Sequence, residues 1–161
     1  MEETNYLGDQ ADLLKEYLHL PVLDKLEGDY AAKLLSLSRL RSYQHGEIIT
    51  NQRDFDPWVY ILLRGSANVI VEGEVIAELN TQGEIFGEMV LIDESERSAT
   101  LVATQEVQCL AIDAVLIYEM SQVDQDAFFS IFFRLVSAVL AKRLRETNEE
   151  LALLRKEYKL F

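Results

Sequence analysis

Two neighbouring runs hold the residues best suited to chemistry. The first is Gly83-Glu84-Ile85-Phe86-Gly87-Glu88-Met89-Val90-Leu91-Ile92, and close behind it comes Glu96-Arg97-Ser98-Ala99-Thr100. A tight glycine turn, a carboxylate and an arginine thus fall together in a region that otherwise reads as strands. Glycine lets backbone N–H groups approach a phosphate closely. Arg97 supplies a fork of donors with a permanent charge. A carboxylate cannot face a phosphate, so Glu88 must face a group that donates, such as a ribose hydroxyl. The ligand that satisfies all three is a sugar joined to a singly charged phosphate.

The charge balance narrows this further. Fifteen Lys and Arg stand against 28 Asp and Glu, a net charge of -13. A field of that sign repels phosphate polymers, so no direct contact with nucleic acid is expected. A small anion can bind only where a pocket reverses the potential locally, which raises the importance of Arg97 and the donors beside it. Metal chemistry finds no support. His19 and His45 are far apart, and there is no cysteine cluster. A metal-dependent oxygenase on a β scaffold would need a His-rich constellation, so no catalytic residue and no metal ligand is assigned, and the chain is not read as an enzyme.

Cys109 is the single cysteine, which forbids an intramolecular disulfide; it lies in the strand-like run Val107 to Ile112 and reads as a small core residue. The acidic start Met1-Glu2-Glu3-Thr4-Asn5 has no signal-peptide pattern. The most apolar stretch, Ala127 to Ala141, is interrupted by Arg134 and too short to cross a bilayer. A cytoplasmic protein with no membrane partner is the expectation.

The elements that must position the cassette follow from hydrophobic period. Leu13, Leu14, Tyr17, Leu18 and Leu20 are spaced for a helix that Pro21 ends, and residues 24–40 read as further helix with Leu34, Leu35 and Leu37 inward. The period changes at Gly46. Residues 47–50, 58–63, 67–71, 75–79, 99–104 and 107–112 are short and rich in β-branched or aromatic types, with Gly65 and Gly73 between them. Such spacing predicts an antiparallel sandwich or barrel, packed by Trp58 and Tyr60 among others. The dipeptides Gly46-Glu47 and Gly73-Glu74 read as turn material. Asp113 is placed to cap a helix over Ala114–Met120, and Asp124 to cap one running almost to the end.

That last helix has two apolar stripes. Ile131, Phe132, Leu135, Val136 and Val139 form one, suited to lie on the β domain. Phe133, Ser137, Leu140, Leu144, Thr147, Leu151, Leu154 and Tyr158 form the other, alternating four and three as a heptad seam does. The seam predicts a parallel homodimer through Phe133, Leu140, Leu144, Thr147, Leu151, Leu154 and Tyr158. The plainer alternative is a solvated amphipathic helix folded back on its own domain.

Taken in order, Gly46-Glu47-Ile48-Ile49, Tyr60-Ile61-Leu62-Leu63-Arg64-Gly65, Phe86-Gly87-Glu88, Glu96-Arg97-Ser98-Ala99-Thr100 and the terminal helix resemble the cyclic-nucleotide-binding domain family, above all the effector half of the bacterial catabolite activator protein. The resemblance covers about residues 20–155. It implies a mainly β fold with flanking helices. A double-stranded β-helix (jelly-roll) barrel over 41–120 would follow an N-terminal helical segment over 1–40 and precede a long dimerisation helix over 121–161.

It also implies roles. Phe86, Gly87, Glu88 and Met89 would surround the cyclic phosphate and ribose, with backbone N–H groups on the phosphate and the Glu88 carboxylate on the 2′-hydroxyl. Arg97 would pair with a phosphate oxygen, with Ser98 and Ala99 beside it. Thr147 and Asn148 would reach the base. The activator group places a Thr-Ser pair there; this chain has Asn148, which both donates and accepts, and Ser98 suits adenine and guanine alike. Cyclic AMP is expected ahead of cyclic GMP. Two departures stand out: the loop from Glu88 to Arg97 is one residue shorter than in the activator, and Arg53 falls near where many members carry glycine.

The expected function is a regulatory sensor that turns ligand occupancy into a change in the long helix and dimer. The family's usual output, a DNA-reading domain, would need further residues after Phe161; either the chain is an excised effector domain or the output goes to a protein partner, and the acidic charge fits the second better. The alternative is a protein-interaction module that keeps the fold and has lost its ligand.

Overall fold

The computed structural model describes residues 1–7, 12, 29–93 and 95–158. The helix expected over 10–20 and the break at Pro21 lie, but for residue 12, outside that set. The chain divides into two compact units, Met1–Gln125 and Asp126–Phe161.

In the first unit β1 (Glu2–Glu3), α1 (Tyr30–Ser36), β2 (Ser38–Tyr43), β3 (Ile48–Thr50), β4 (Trp58–Arg64), β5 (Ala67–Val71), β6 (Glu74–Leu79), β7 (Ile85–Phe86), α2 (Val90–Asp93), β8 (Thr100–Ala103), β9 (Val107–Asp113) and α3 (Ala114–Tyr118) follow in order. The helix α4 (Gln122–Tyr158) starts there and continues through the second unit. All strand pairs are antiparallel. They form two separate sheets, in the orders β1-β2-β9-β4-β7 and β3-β8-β5-β6. This is the expected mainly β jelly roll with flanking helices, built as two ladders without a closed barrel among the described residues.

The core lies between the sheets. Tyr43, Tyr60, Leu62, Phe86, Cys109 and Ala111 from the first meet Ile49, Ala67, Leu79, Leu101 and Ala103 from the second. β4 and β9 are buried on their other face too, through Val59, Ile61, Leu110 and Ile112. That is why their sequences run apolar without alternation. Cys109 is fully buried, as expected of a core thiol, and burial pushes its pKa up to about 12. At the β4–β5 corner Gly65 has φ +87°. A Cβ there would overlap the Glu106 carbonyl oxygen and stand 2.9 Å from Val107 Cα, so only glycine fits.

Two local expectations need correction. The helix read over 24–40 ends at Ser36, and Ser38–Tyr43 is a strand. Ser38 and Leu40 are buried on one face and Tyr43 on the other, and pairing with β9 outweighs helical propensity. Leu34 and Leu35 are buried as read, while Leu37 is the C-cap. The cap of α4 is Ser121 rather than Asp124. The Ser121 hydroxyl accepts from the Asp124 N–H at 3.3 Å and donates to the Asp124 carboxylate at 2.8 Å. Asp124 instead pairs with Lys33 at 2.7 Å. Asp113 caps α3 as expected, its Oδ1 accepting from the Val115 N–H at 2.9 Å.

Candidate ligand-binding site

The site is assembled from the β4–β7 pair outward. Tyr60 stands opposite Phe86 and Ile61 opposite Ile85. Beyond them the Leu62 N–H donates to the Glu84 carbonyl at 2.9 Å and the Gly83 N–H to the Leu62 carbonyl at 2.8 Å. The Tyr60 and Phe86 rings stack at 4.9 Å, 8° from parallel. This pairing delivers Gly87 to the Trp58 end of β4. Gly87 has φ +74°, and a Cβ there would overlap Arg97 Nη1 and stand 3.0 Å from the Trp58 carbonyl oxygen. The backbone angle therefore favours glycine, and a side chain here would displace the Arg97 guanidinium from its place. The chain then turns into α2, with the Leu91 N–H on the Glu88 carbonyl at 3.1 Å and the Ile92 N–H on the Met89 carbonyl at 2.9 Å.

Of the residues singled out in the sequence, seven lie in this unit. Phe86 and Ala99 are buried, Gly87 and Met89 half-buried, and Ser98 is exposed. The two charged ones are both buried: Glu88 is 2% exposed and Arg97 8%. A buried charge needs partners. Arg97 Nη1 donates to the Gly87 carbonyl at 2.9 Å, Nη2 donates to the Trp58 carbonyl, and Nε donates to Asp56 Oδ2 at 3.3 Å. Nη2 is also 2.9 Å from that carboxylate oxygen. The backbone of Arg97 is fixed as well. Its N–H donates to the Asp54 carbonyl at 2.9 Å and its carbonyl accepts from the Arg53 N–H at 2.8 Å.

Asp56 is the functional neighbour that sequence reasoning missed. Its Oδ1 accepts from the Trp58 N–H at 3.1 Å, across Pro57. The Asp-Pro-Trp run carried a turn signal of that kind, an aspartate closing on the N–H two residues on. Nothing local pointed to its pairing with an arginine 41 residues away. Arg53, by contrast, explains itself. It has φ +71°, the left-handed backbone that glycine favours, and its guanidinium is 2.7 Å from the Glu72 carboxylate.

The remaining sequence candidates belong to the second unit. Thr147 and Asn148 are exposed on α4. So are the seam residues Phe133, Leu144, Leu151, Leu154 and Tyr158, while Leu140 is half-buried. On the other stripe Phe132 and Val136 are buried. Among the described residues, no group of three or more His, Cys, Asp and Glu is placed to hold a metal ion, and no helix is long and apolar enough to cross a membrane.

Comparison with known proteins fits this geometry. The family model described as the cyclic nucleotide-binding domain matches residues 40–124, which span β2 through the start of α4 and contain the whole Gly87–Arg97 cassette. The chain belongs to the cyclic nucleotide-binding domain family. It is 31% identical over 144 residues to the cyclic AMP receptor protein of Thermus thermophilus, covering 83% of this chain and 62% of that protein. It is 30% identical over 94 residues to the cAMP-dependent protein kinase regulatory subunit of Schizosaccharomyces pombe, covering 58% of this chain and 23% of the kinase subunit. The chain thus spans less than two thirds of either relative.

Among solved structures, the Thermus thermophilus catabolite activator protein aligns with a TM-score of 0.63 at 31% identity, covering 84% of this chain and 63% of that one. A cyclic nucleotide-binding domain from Methylobacillus flagellatus aligns with a TM-score of 0.76, covering 92% and 86%, though at 19% identity it speaks for the fold alone. The chain is therefore a cyclic nucleotide-binding regulatory domain of the kind shared by bacterial receptor proteins and kinase regulatory subunits.

Proposed function

We propose that this domain senses cyclic AMP and passes occupancy to α4 and a parallel homodimer, without itself reading DNA or catalysing a reaction. The observation that carries the reading is the contact of Arg97 with the carbonyl of Gly87 at 2.9 Å, beside a Glu88 buried to 2%. The turn and the cation that a sugar phosphate needs thereby meet, with the buried Glu88 next in the chain. In this reading Arg97 takes a phosphate oxygen, backbone donors of Phe86, Gly87, Glu88 and Met89 line the ring phosphate, and Glu88 takes a ribose hydroxyl. Ser98 and Ala99 complete that wall, and Thr147 with Asn148 meets the base.

The names of the Thermus and fission-yeast relatives support cyclic AMP as a ligand to test first. The exposed heptad seam supports a second copy as the partner of α4, and the net charge of -13 favours a protein over nucleic acid as the recipient of the signal. The single cysteine, buried as a thiol, suits the reducing cytoplasm.

The second reading, an interaction module without a ligand, draws on one observation. Nε, Nη1 and Nη2 of Arg97 all already end on acceptors of the protein. Calorimetric titration with cyclic AMP and cyclic GMP, with linear AMP as control, separates the two. Saturable heat with a cyclic nucleotide alone is expected; its absence with both cyclic forms would establish the ligand-free module.

A further inference from the structure

A line of polar contacts crosses the inner face of the first sheet, from edge strand β1 to the turn after β7. The Glu3 carboxylate accepts from Arg39 Nη1 and from Arg41 Nε, each at 2.5 Å. Arg41 Nη1 donates to the Tyr60 hydroxyl at 2.8 Å, and that hydroxyl donates to Asp56 Oδ2 at 3.2 Å. The same Asp56 oxygen is 2.9 Å from Arg97 Nη2. Each link is chemically specific, since a phenol can accept from one neighbour while donating to the other.

The register explains how so long a line fits inside a sandwich. Arg41 on β2 stands opposite Cys109, and Tyr60 on β4 stands opposite Ala111. Both side chains on the intervening β9 are short. They leave room for Arg41 to reach over that strand to the phenol. The Arg41 and Arg97 side chains are 11% and 7% exposed and Tyr60 is 1% exposed. Water screens such groups poorly, so a charge change at one end reaches the next partner.

We infer that Glu3, Arg41, Tyr60 and Asp56 form a relay that couples ligand occupancy at Arg97 to the seating of the N-terminal strand. The inference rests on the proposed reading that Arg97 receives the phosphate of a cyclic nucleotide. A phosphate at Arg97 takes guanidinium donors away from Asp56. The Asp56 carboxylate then draws harder on the Tyr60 hydroxyl, and through it on Arg41, at the expense of Glu3. β1 is short, two paired residues held by the Glu3 ion pairs. The chain just after it is anchored by Thr4, which bonds both the N–H and the carbonyl of Leu40, by the Tyr6 hydroxyl on Asp113 at 2.8 Å and by the buried Leu7, so Glu3 is the link at which a change in Arg41 is felt. Coupling is reciprocal, so a weaker grip of Glu3 on Arg41 must favour occupancy.

The test is a double-mutant cycle on the full chain, read as calorimetric affinity for cyclic AMP, or for cyclic GMP should only that bind. Glu3→Gln weakens one end of the relay, and Tyr60→Phe removes its central hydroxyl while keeping the ring stacked on Phe86. Glu3→Gln should tighten binding by about threefold or more in the wild-type background, and by less than about 1.5-fold alongside Tyr60→Phe. No change or a weakening from Glu3→Gln alone, or the same tightening in both backgrounds, overturns the relay. Failure of the wild-type chain to bind either nucleotide overturns the functional reading first, and the relay with it.

Discussion

Arg97 is 8% exposed and Leu144 is 62% exposed, and the contrast runs through the regions around them. At the arginine corner, each charged nitrogen ends on a carbonyl or carboxylate supplied by the same chain. Along the distal half of α4, Leu144, Leu151, Leu154 and Tyr158 lie open over about 15 residues of helix, roughly 20 Å. A site that satisfies its own charges can stand ready without a ligand, which then has to compete for the cation. A helix that leaves an apolar ladder open gains only when something covers it. In the proposed reading, one region exchanges partners and the other acquires one.

The sharpest way to break that contrast is to spoil the ladder. Leu144→Glu together with Leu151→Glu should convert a dimer to a monomer by light scattering, while the arginine corner keeps its affinity for ligand to within a few-fold. A dimer that persists would put the interface elsewhere and remove the reason for the exposed seam. Next in size is the corner itself. Arg97→Ala removes one or two charge-assisted hydrogen bonds to the phosphate, about 1.5–3 kcal/mol each, so affinity for cyclic AMP should fall at least tenfold. The fold should survive, because Asp56 is near enough to the surface to be hydrated once its cation is gone. Unchanged binding would show that Arg97 serves only to tie Asp56, Trp58 and Gly87 together.

The core between the sheets gives a third, smaller effect. Burial raises the Cys109 thiol to about 12, and burial with the nearby Cys109 raises the Tyr43 phenol to about 12. Both groups are therefore neutral in the fold at pH values where the unfolded chain ionises. The unfolded chain loses protons first, so stability is full below about pH 9 and falls as the pH rises towards 12. By pH 10.5 the thiol alone should cost on the order of 2 kcal/mol. Chemical denaturation of wild type and Cys109→Ala between pH 8 and 10.5 checks this; equal slopes for the two would mean the thiol does not titrate differently on unfolding. The smallest effect expected is at a helix end. Asp113→Ala deletes the cap of α3 and the acceptor of the Tyr6 hydroxyl at 2.8 Å, together on the order of 1–2 kcal/mol, and should lower Tm in thermal denaturation by roughly 2–8 °C.

The cassette was legible because its parts are close in sequence: Gly87, Glu88 and Arg97 fall within one short stretch between β7 and β8, and the strands around them carry β-branched runs bounded by glycines. Even the glycine that the backbone angle favours was visible as Phe-Gly-Glu. What the sequence hid were effects of distance. Ser38–Tyr43 reads as the end of a helix until β9 is beside it, because both faces of β2 take their meaning from pairing. Asp56 looks like turn material until Arg97 arrives from across the sandwich. Ser121 and Asp124 carry complementary cap chemistry, and only the path of the chain decides which side chain takes the first turn.

Trp58 gathers these threads at one position. Its backbone carbonyl accepts from Arg97, its ring lies under the Arg41 guanidinium at 4.0 Å, and the chain has a single tryptophan. A lone indole pinned by one cation at its main chain and by another over its face makes the protein its own optical gauge. Emission from the unlabelled chain reads both arginines at once, with no second fluorophore of its kind to dilute the signal.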